Sequence, residues 1–284
     1  MGARIIDGKA ISSEVRAEIK QKVERLKADN IVPGLSVILV GDDPASHVYV
    51  RNKEKACAEV GINSRTYRLP AETDQGEVLT LLEQLNGDDS VHGILVQLPV
   101  PPQIDSDVVL RAIAPEKDVD GFLPTSIGNL VLGNAGYRPC TPLGCMVMLE
   151  RTGIDIKGKK AVVVGRSNIV GKPIAMMLLE KHATVTVCHS RTADLGAETK
   201  QADILVAAVG RPEMIKGDMV RPGAVVLDVG INRLEDGRLV GDVHFESTAE
   251  VAGWITPVPG GVGPMTITML LHNTVQAAES TAGT

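Results

Sequence analysis

Short apolar runs alternate with stretches of helical periodicity along most of the chain. "LSVILV" (35–40) is almost continuously apolar, the pattern of a strand buried on both faces. "PASHVYVRNKEKACAEVG" (44–61) follows with helical spacing, with Pro44 near its start and Gly61 at its end. "RTYRL", "EVLTLLEQLN" and "HGILVQLP" continue the alternation. This is a βαβαβ order, which implies a parallel sheet with right-handed crossovers. The pattern restarts with "KKAVVVG" (159–165), "TVTVCHS" (184–190), "DILVAAVG" (203–210) and "AVVLDVG" (224–230), read as four parallel strands, with "GKPIAMMLLEKH" as a helix between the first two. Residues 115–144 are rich in Gly, Pro, Asn and Asp and read as loop and linker. The turn-rich "TPVPGGVGP" leads into an apolar-striped helix, "TITMLLHNTVQAAES". The expected fold class is α/β: two α/β domains around a cleft, the second Rossmann-like with a parallel sheet. Such folds bind ligands at strand carboxyl ends and domain interfaces.

Composition narrows the function. A formal net charge of −6 disfavours nucleic acid or an anionic membrane as partner, and 2% aromatic residues leave little for base stacking. No apolar run approaches the ~20 residues of a membrane span. "MGARIIDGKA" lacks the basic start and apolar run of a signal peptide, so a cytoplasmic location is expected. Cys57, Cys140, Cys145 and Cys188 form no CxxC pair and have no histidine at ligand spacing, which fits reduced, buried thiols.

The stretch "VVVGRSNIVGKP" (162–173) has the strand, glycine turn and helix start of a phosphate-binding loop. It is not a Walker loop, because five residues separate Gly165 from Gly171 and Pro173 follows Lys172. Nor is it the three-glycine dinucleotide fingerprint, because Arg166, Ser167 and Asn168 follow Gly165. Strand-glycine-helix units without ligands are also common. The next strand favours a ligand. A carboxylate for an NAD ribose belongs at its end, ~20 residues on. His189, Ser190 and Arg191 stand there instead. Hydroxyl and guanidinium groups, with Arg166, suit a 2′-phosphate, so NADP is expected over NAD.

On the helix at 44–61, Tyr49, Lys53, Ala56, Cys57 and Val60 share one face, and Ser46 joins it. Lys53 therefore interrupts a mostly apolar stripe. A lysine drawn from water loses part of its preference for the ammonium form and can move protons near neutral pH; a snorkelling stem with its head in solvent is the alternative. Gln97 falls at the carboxyl end of the "HGILVQLP" strand, where its amide can bond the lysine. Asp118 and Asp120 of "KDVDG" can bond a ligand's N–H groups or cap a turn.

Taken in order, "SHVYVRNKEKA", "GILVQLPVP", "PEKDVDGF", "CTPLG", "VVVGRSNIVGKP", "CHSRT" and "TPVPGGVGPMT" resemble the bifunctional methylenetetrahydrofolate dehydrogenase/methenyltetrahydrofolate cyclohydrolase family over essentially the whole chain. Val100 stands where that family frequently has leucine. The resemblance implies oxidation of 5,10-methylenetetrahydrofolate with NADP, then hydrolysis to 10-formyltetrahydrofolate, in one shared cleft and without a metal. It implies Lys53 as general acid/base, with Tyr49, Gln97 and Asp120 as its catalytic companions. Substrate contacts would come from Ser46, Tyr49, Lys53, Val96, Gln97, Leu98, Asp120, Pro259, Gly260, Gly261, Pro264 and Thr266. Cofactor contacts would come from Gly165, Arg166, Ser167, Ile169, Val170, Gly171, Ser190, Arg191 and Ile231. It also implies a folate-binding domain over 1–139, a cofactor domain over 140–265, a C-terminal helix (266–284) packed back on the first, and a homodimer. Rival readings are a dehydrogenase without hydrolase activity, a different two-domain NADP dehydrogenase acting on small acids, and a non-catalytic nucleotide sensor. "KDVDG" together with "PGGVGP" disfavours the second, and the Tyr49, Lys53 and Gln97 set disfavours the first and third.

Overall fold

The structure, a computed structural model, describes residues 2–282. In chain order the helices and strands are β1 (Arg4–Ile5), α1 (Gly8–Ala28), β2 (Gly34–Val40), α2 (Pro44–Val60), β3 (Asn63–Leu69), α3 (Gln75–Asn86), β4 (Gly93–Val96), α4 (Ser106–Arg111), α5 (Pro124–Leu132), α6 (Cys140–Arg151), β5 (Lys160–Val164), α7 (Gly171–Glu180), β6 (Thr184–Cys188), α8 (Leu195–Thr199), β7 (Ile204–Ala207), β8 (Val225–Asp228), β9 (Asn232–Arg233), β10 (Leu239–Val240), α9 (Phe245–Ala249), β11 (Trp254–Ile255) and α10 (Val262–Ala282). They fall into two compact units. One holds the residues up to 13, then 130–134 and 139–266; the other holds 14–129, 135–138 and 267 onward.

The unit built around residues 14–129 contains a three-stranded parallel sheet in the order β3-β2-β4. Central β2 is buried at every position, which is why its sequence reads as a nearly unbroken apolar run. The edge strand β3 has no fully buried position, and its sequence is mostly polar. Ile38, Leu82, Ile94 and Val96 pack into one core between sheet and helices. The C-terminal helix α10 belongs to this unit from residue 267. Asn273, fully buried, donates through Nδ2 to the carbonyls of Val119 (2.8 Å) and Arg138 (3.0 Å). Met269, Leu270, Leu271 and Val275 of the same helix are buried, each such side chain contributing about 1.5–3 kcal/mol.

The other unit carries a six-stranded sheet in the order β1-β11-β8-β7-β5-β6, with every pairing parallel. Four of these strands are those the apolar runs predict. The two-residue β1 and β11 are too short to leave a periodic signal, yet Arg4 pairs with Trp254 and Ile5 with Ile255. The first residues therefore sit in the cofactor-type sheet rather than with 1–139. Residues 115–144 are also not simply a linker. They include α5 and the start of α6, whose glycines and prolines obscured the helical period.

Candidate active site

Helix α2 opens with Asp43, whose carboxylate accepts from the Ser46 N–H at 2.7 Å, and ends at Gly61 in the left-handed region. Its buried stripe runs through Ser46, Val50, Cys57 and Val60, and half-buried Lys53 occupies the place between Val50 and Cys57. Lysine thus takes a position where the helix register calls for an apolar residue. Tyr49 is not part of that stripe: the register passes through Val50, leaving Tyr49 44% exposed one residue off. Ser46 (2% exposed) and Val96 (3%) are closed inside the fold. Any contact they make with substrate would therefore come from their backbone or a small exposed edge.

Gln97 directly follows β4. Its backbone N–H donates to the Ile38 carbonyl, continuing the ladder with β2. Its side-chain Nε2 donates to the Leu98 carbonyl at 2.7 Å, which turns Oε1 toward α2. Lys53 Nζ donates to that Oε1 at 2.9 Å. The bond fixes the lysine rotamer against an amide oxygen at the carboxyl end of β4.

The structure separates the two aspartates of "KDVDG". Asp118 is buried and accepts from the Phe122 N–H (3.2 Å), the Leu123 N–H (2.9 Å) and Ser126 Oγ (2.6 Å), capping the entry to α5. Burial pushes its carboxyl above the usual range, against those hydrogen bonds. Asp120 is half-buried and remains the candidate to bind a ligand.

In the other unit β5 ends at the predicted loop. Gly165 has φ +126, and a Cβ there would lie 2.1 Å from the Ala208 carbonyl oxygen. A Cβ on Gly171 would lie 2.3 Å from the Gly165 carbonyl oxygen. The two glycines therefore let the loop fold against itself and against the end of β7. Ser167 Oγ accepts from the Val170 and Gly171 N–H groups, each at 3.2 Å, so the serine stabilises the start of α7. Gly165 N–H donates to the Cys188 carbonyl at 2.9 Å, which sets this loop beside the end of β6. There His189 Nδ1 accepts from the Arg191 N–H at 3.1 Å and shapes the turn, while Ser190 and Arg191 are exposed. Arg166 is exposed as well. Three polar or cationic side chains thus stand at the carboxyl ends of adjacent strands, as a phosphate on a ribose would require. Ile169 (46%), in the loop after β5, and Ile231 (47%), after β8, are exposed apolar residues beyond strand carboxyl ends of this sheet.

The "PGGVGP" segment (259–264) follows β11 and runs into α10, whose first turn holds Val262, Gly263 and Pro264. Pro259 is exposed, Gly260 has φ +110, and Gly261 is packed against Pro257 and Thr256. Lys9 N–H donates to the Gly260 carbonyl at 3.1 Å. Pro264 and Thr266 are half-buried, and Thr266 shares a 2.9 Å hydroxyl hydrogen bond with Thr141. All four cysteines are buried and form no disulfide; burial pushes the Cys57 thiol up to about 11 and Cys145 up to about 12, which leaves those two unreactive.

A parallel sheet with a glycine loop and exposed cationic groups at its carboxyl edge, together with a unit in which a half-buried lysine is bonded to an amide, is the frame of a nucleotide-dependent α/β enzyme. The comparisons specify which. The catalytic-domain profile of tetrahydrofolate dehydrogenase/cyclohydrolase matches residues 6–120, and the profile of its NAD(P)-binding domain matches residues 139–282. The chain is 69% identical to the bifunctional protein FolD of Moorella thermoacetica, over 98% of this chain and 99% of that one. A crystal structure of the bifunctional FolD methylenetetrahydrofolate dehydrogenase/cyclohydrolase from Campylobacter jejuni superposes with a TM-score of 0.97 at 53% identity, covering 98% and 99% of the two chains. The Trypanosoma brucei methylenetetrahydrofolate dehydrogenase-cyclohydrolase, solved with NADP and an inhibitor, gives 0.95 at 39% identity with both chains fully covered. The chain belongs to the tetrahydrofolate dehydrogenase/cyclohydrolase family.

Sequence reasoning missed two buried carboxylates, Asp228 and Asp242. The only signal was an aspartate inside an otherwise apolar strand, "VVLDVG".

Proposed function

We propose that this chain oxidises 5,10-methylenetetrahydrofolate to the methenyl form with NADP⁺ and hydrolyses that product to 10-formyltetrahydrofolate, a bifunctional role in one-carbon folate metabolism. The observation that carries the reading is Lys53 held by Gln97 Oε1 at 2.9 Å in a position the helix register reserves for an apolar side chain. Bound NADP⁺ supplies the acceptor for the hydride leaving the methylene bridge. The residues present fit that group: Gly165 and Gly171 leave room that a Cβ would fill, and Arg166, Ser190 and Arg191 offer donors for a 2′-phosphate. Ile169, Val170 and Ile231 would give it apolar or backbone contact.

In the hydrolase step water adds to the methenyl carbon and gives up one proton; the bond from that carbon to N5 then breaks as the new hydroxyl gives up its proton to become the formyl oxygen and N5 gains one, so that one proton is released overall. Lys53 takes and returns these protons, and Gln97 keeps its amine aimed through both events. Tyr49 packs on the folate, and Asp120 bonds the N–H and amino groups of the pterin. Leu98, Pro259, Gly260, Gly261, Pro264 and Thr266 would complete the folate contacts.

We further infer a cytoplasmic homodimer joined through the cofactor-type unit. No described helix is long and apolar enough to cross a membrane. Support for pairing comes from β6, an outer strand of the six-stranded sheet, where Val187 is 39% exposed and Leu179 of the neighbouring helix 54%.

An absorbance assay with methylenetetrahydrofolate, run separately with NADP⁺ and NAD⁺, tests the reading. Reduced nucleotide should form faster with NADP⁺, and methenyl absorbance should decay without any nucleotide. No nucleotide reduction with either cofactor would reject it.

A further inference from the structure

Asp242 is fully buried and follows β10 by two residues. Its carboxylate gathers four donors. Oδ2 accepts from the Val209 N–H (2.6 Å) and Gly210 N–H (2.9 Å), and Oδ1 accepts from the Arg211 N–H (2.9 Å) and Asn232 Nδ2 (3.0 Å). Three consecutive backbone N–H groups thus wrap one carboxylate, an anion nest at the end of β7 occupied by the protein's own side chain. Asp242 is in turn tied to β8, because its own N–H donates to Asp228 Oδ1 at 2.9 Å. Asp228 Oδ1 also accepts from Gly230 N–H at 3.0 Å, and Oδ2 accepts from Val243 N–H at 2.9 Å. There is no spare volume: a Cβ on Gly230 would stand 2.3 Å from Asp242 Cγ, and one on Gly241 would stand 1.7 Å from Asp228 Oδ2.

The loops tied here are those expected to meet the cofactor. Ile231 lies between Gly230 and Asn232, and both neighbours are pinned to a carboxylate. Ala208, one residue before the nest, is the wall against which Gly165 closes. We propose that Asp242 is a positioning residue of the dehydrogenase step: it sets Ile231 and the 208–211 backbone, and through Ala208 the Gly165 turn, so that bound cofactor is held in register for hydride transfer. Hydride transfer tolerates little error, since a displacement of ~1 Å far from the chemistry can cost about 100-fold. The groups that donate to the Asp228 and Asp242 carboxylates, from Val209 to Val243, all belong to the unit that carries the Gly165 loop, whereas Lys53, Gln97, Tyr49 and Asp120 belong to the other unit.

This inference rests on the function proposed above, and Asp242→Asn tests it. The asparagine keeps the shape but sets an N–H₂ against backbone N–H donors. The expected result is a rise in KM for NADP⁺ and a fall in dehydrogenase kcat of about tenfold or more together, with hydrolysis of added methenyltetrahydrofolate, assayed without nucleotide, kept within about twofold. Should that variant fail to fold, Asn232→Ala removes a single donor and should raise KM for NADP⁺ several-fold with hydrolysis unchanged. Equal loss of both activities would mean a general structural role and overturn the inference, as would an unchanged KM and kcat. Wild-type protein that reduces no nucleotide would instead reject the function itself.

Discussion

At the scale of single residues, Lys53 and Arg166 carry separable burdens. Lys53→Ala should lower methenyl hydrolysis by about 100-fold or more while NADP binding persists, read by hydrolysis rate and by cofactor titration. Arg166→Ala should weaken NADP far more than NAD; comparable losses for the two would remove Arg166 from any role in reading the 2′-phosphate. Asp228 adds a pH dependence. Burial and the nearby Asp242 charge push its carboxyl up to about 7, against the hydrogen bonds it accepts from backbone N–H groups. The folded state therefore holds this proton more tightly than the unfolded chain, whose carboxyl sits near 3.8. The stability from this group is complete below about 3.8 and is lost as pH rises through about 7. Thermal unfolding of the wild type and Asp228→Asn should accordingly show the wild type losing ground to the variant between pH 5 and pH 8, on the order of the range in which that proton leaves.

At the scale of elements, what the sequence shows depends on how much of the element repeats. The strands at 35–40, 159–165 and 203–210 are legible because parallel strands buried on both faces are nearly pure apolar runs. The α2 lysine was legible because its helical spacing is regular over four turns, although the stripe it interrupts passes through Val50 rather than Tyr49. Strands β1 and β11 were not legible, since two residues cannot display a period. Helix α5 was hidden by the Gly and Asn around it. Spacing alone does not separate Asp118 from Asp120, because both a cap and a ligand contact call for a carboxylate in a turn; the family resemblance favours Asp120 for the ligand, and the three donors around Asp118 make it the cap. The α7 entry offers a test of its own. Gly171→Ala places a methyl group 2.3 Å from the Gly165 carbonyl oxygen, which backbone cannot yield without moving. The loop should shift, the NADP dissociation constant should rise at least several-fold, and nucleotide-free hydrolysis should continue. A cofactor affinity equal to wild type would show that the loop has room to spare.

At the scale of the whole chain, neither unit is one continuous segment. The unit bearing Lys53 is completed by residues from 267 onward, and the sheet bearing Gly165 is completed by Arg4 and Ile5. A fragment of residues 1–139 would lack Asn273 and the buried face of α10, leaving the Val119 and Arg138 carbonyls without that amide. It should show no cooperative thermal transition by circular dichroism, whereas residues 14–138 joined by a short linker to 267–282 should regain one. A cooperative transition in the shorter fragment would show that α10 is dispensable to this core. The family-level reading came from seven motifs in order rather than from any one of them. The arrangement of the buried carboxylates was invisible because it joins residues far apart in the chain.

The bond from Lys9 to Gly260 has a practical corollary. The leading strand β1 runs within the sheet, and three residues later Gly8 abuts Gly261, where a Cβ would be only 1.8 Å from its carbonyl oxygen. The first residues of the chain are thus bonded to the very loop assigned to folate, and recombinant protein intended for kinetics is better made with its affinity tag at the opposite terminus.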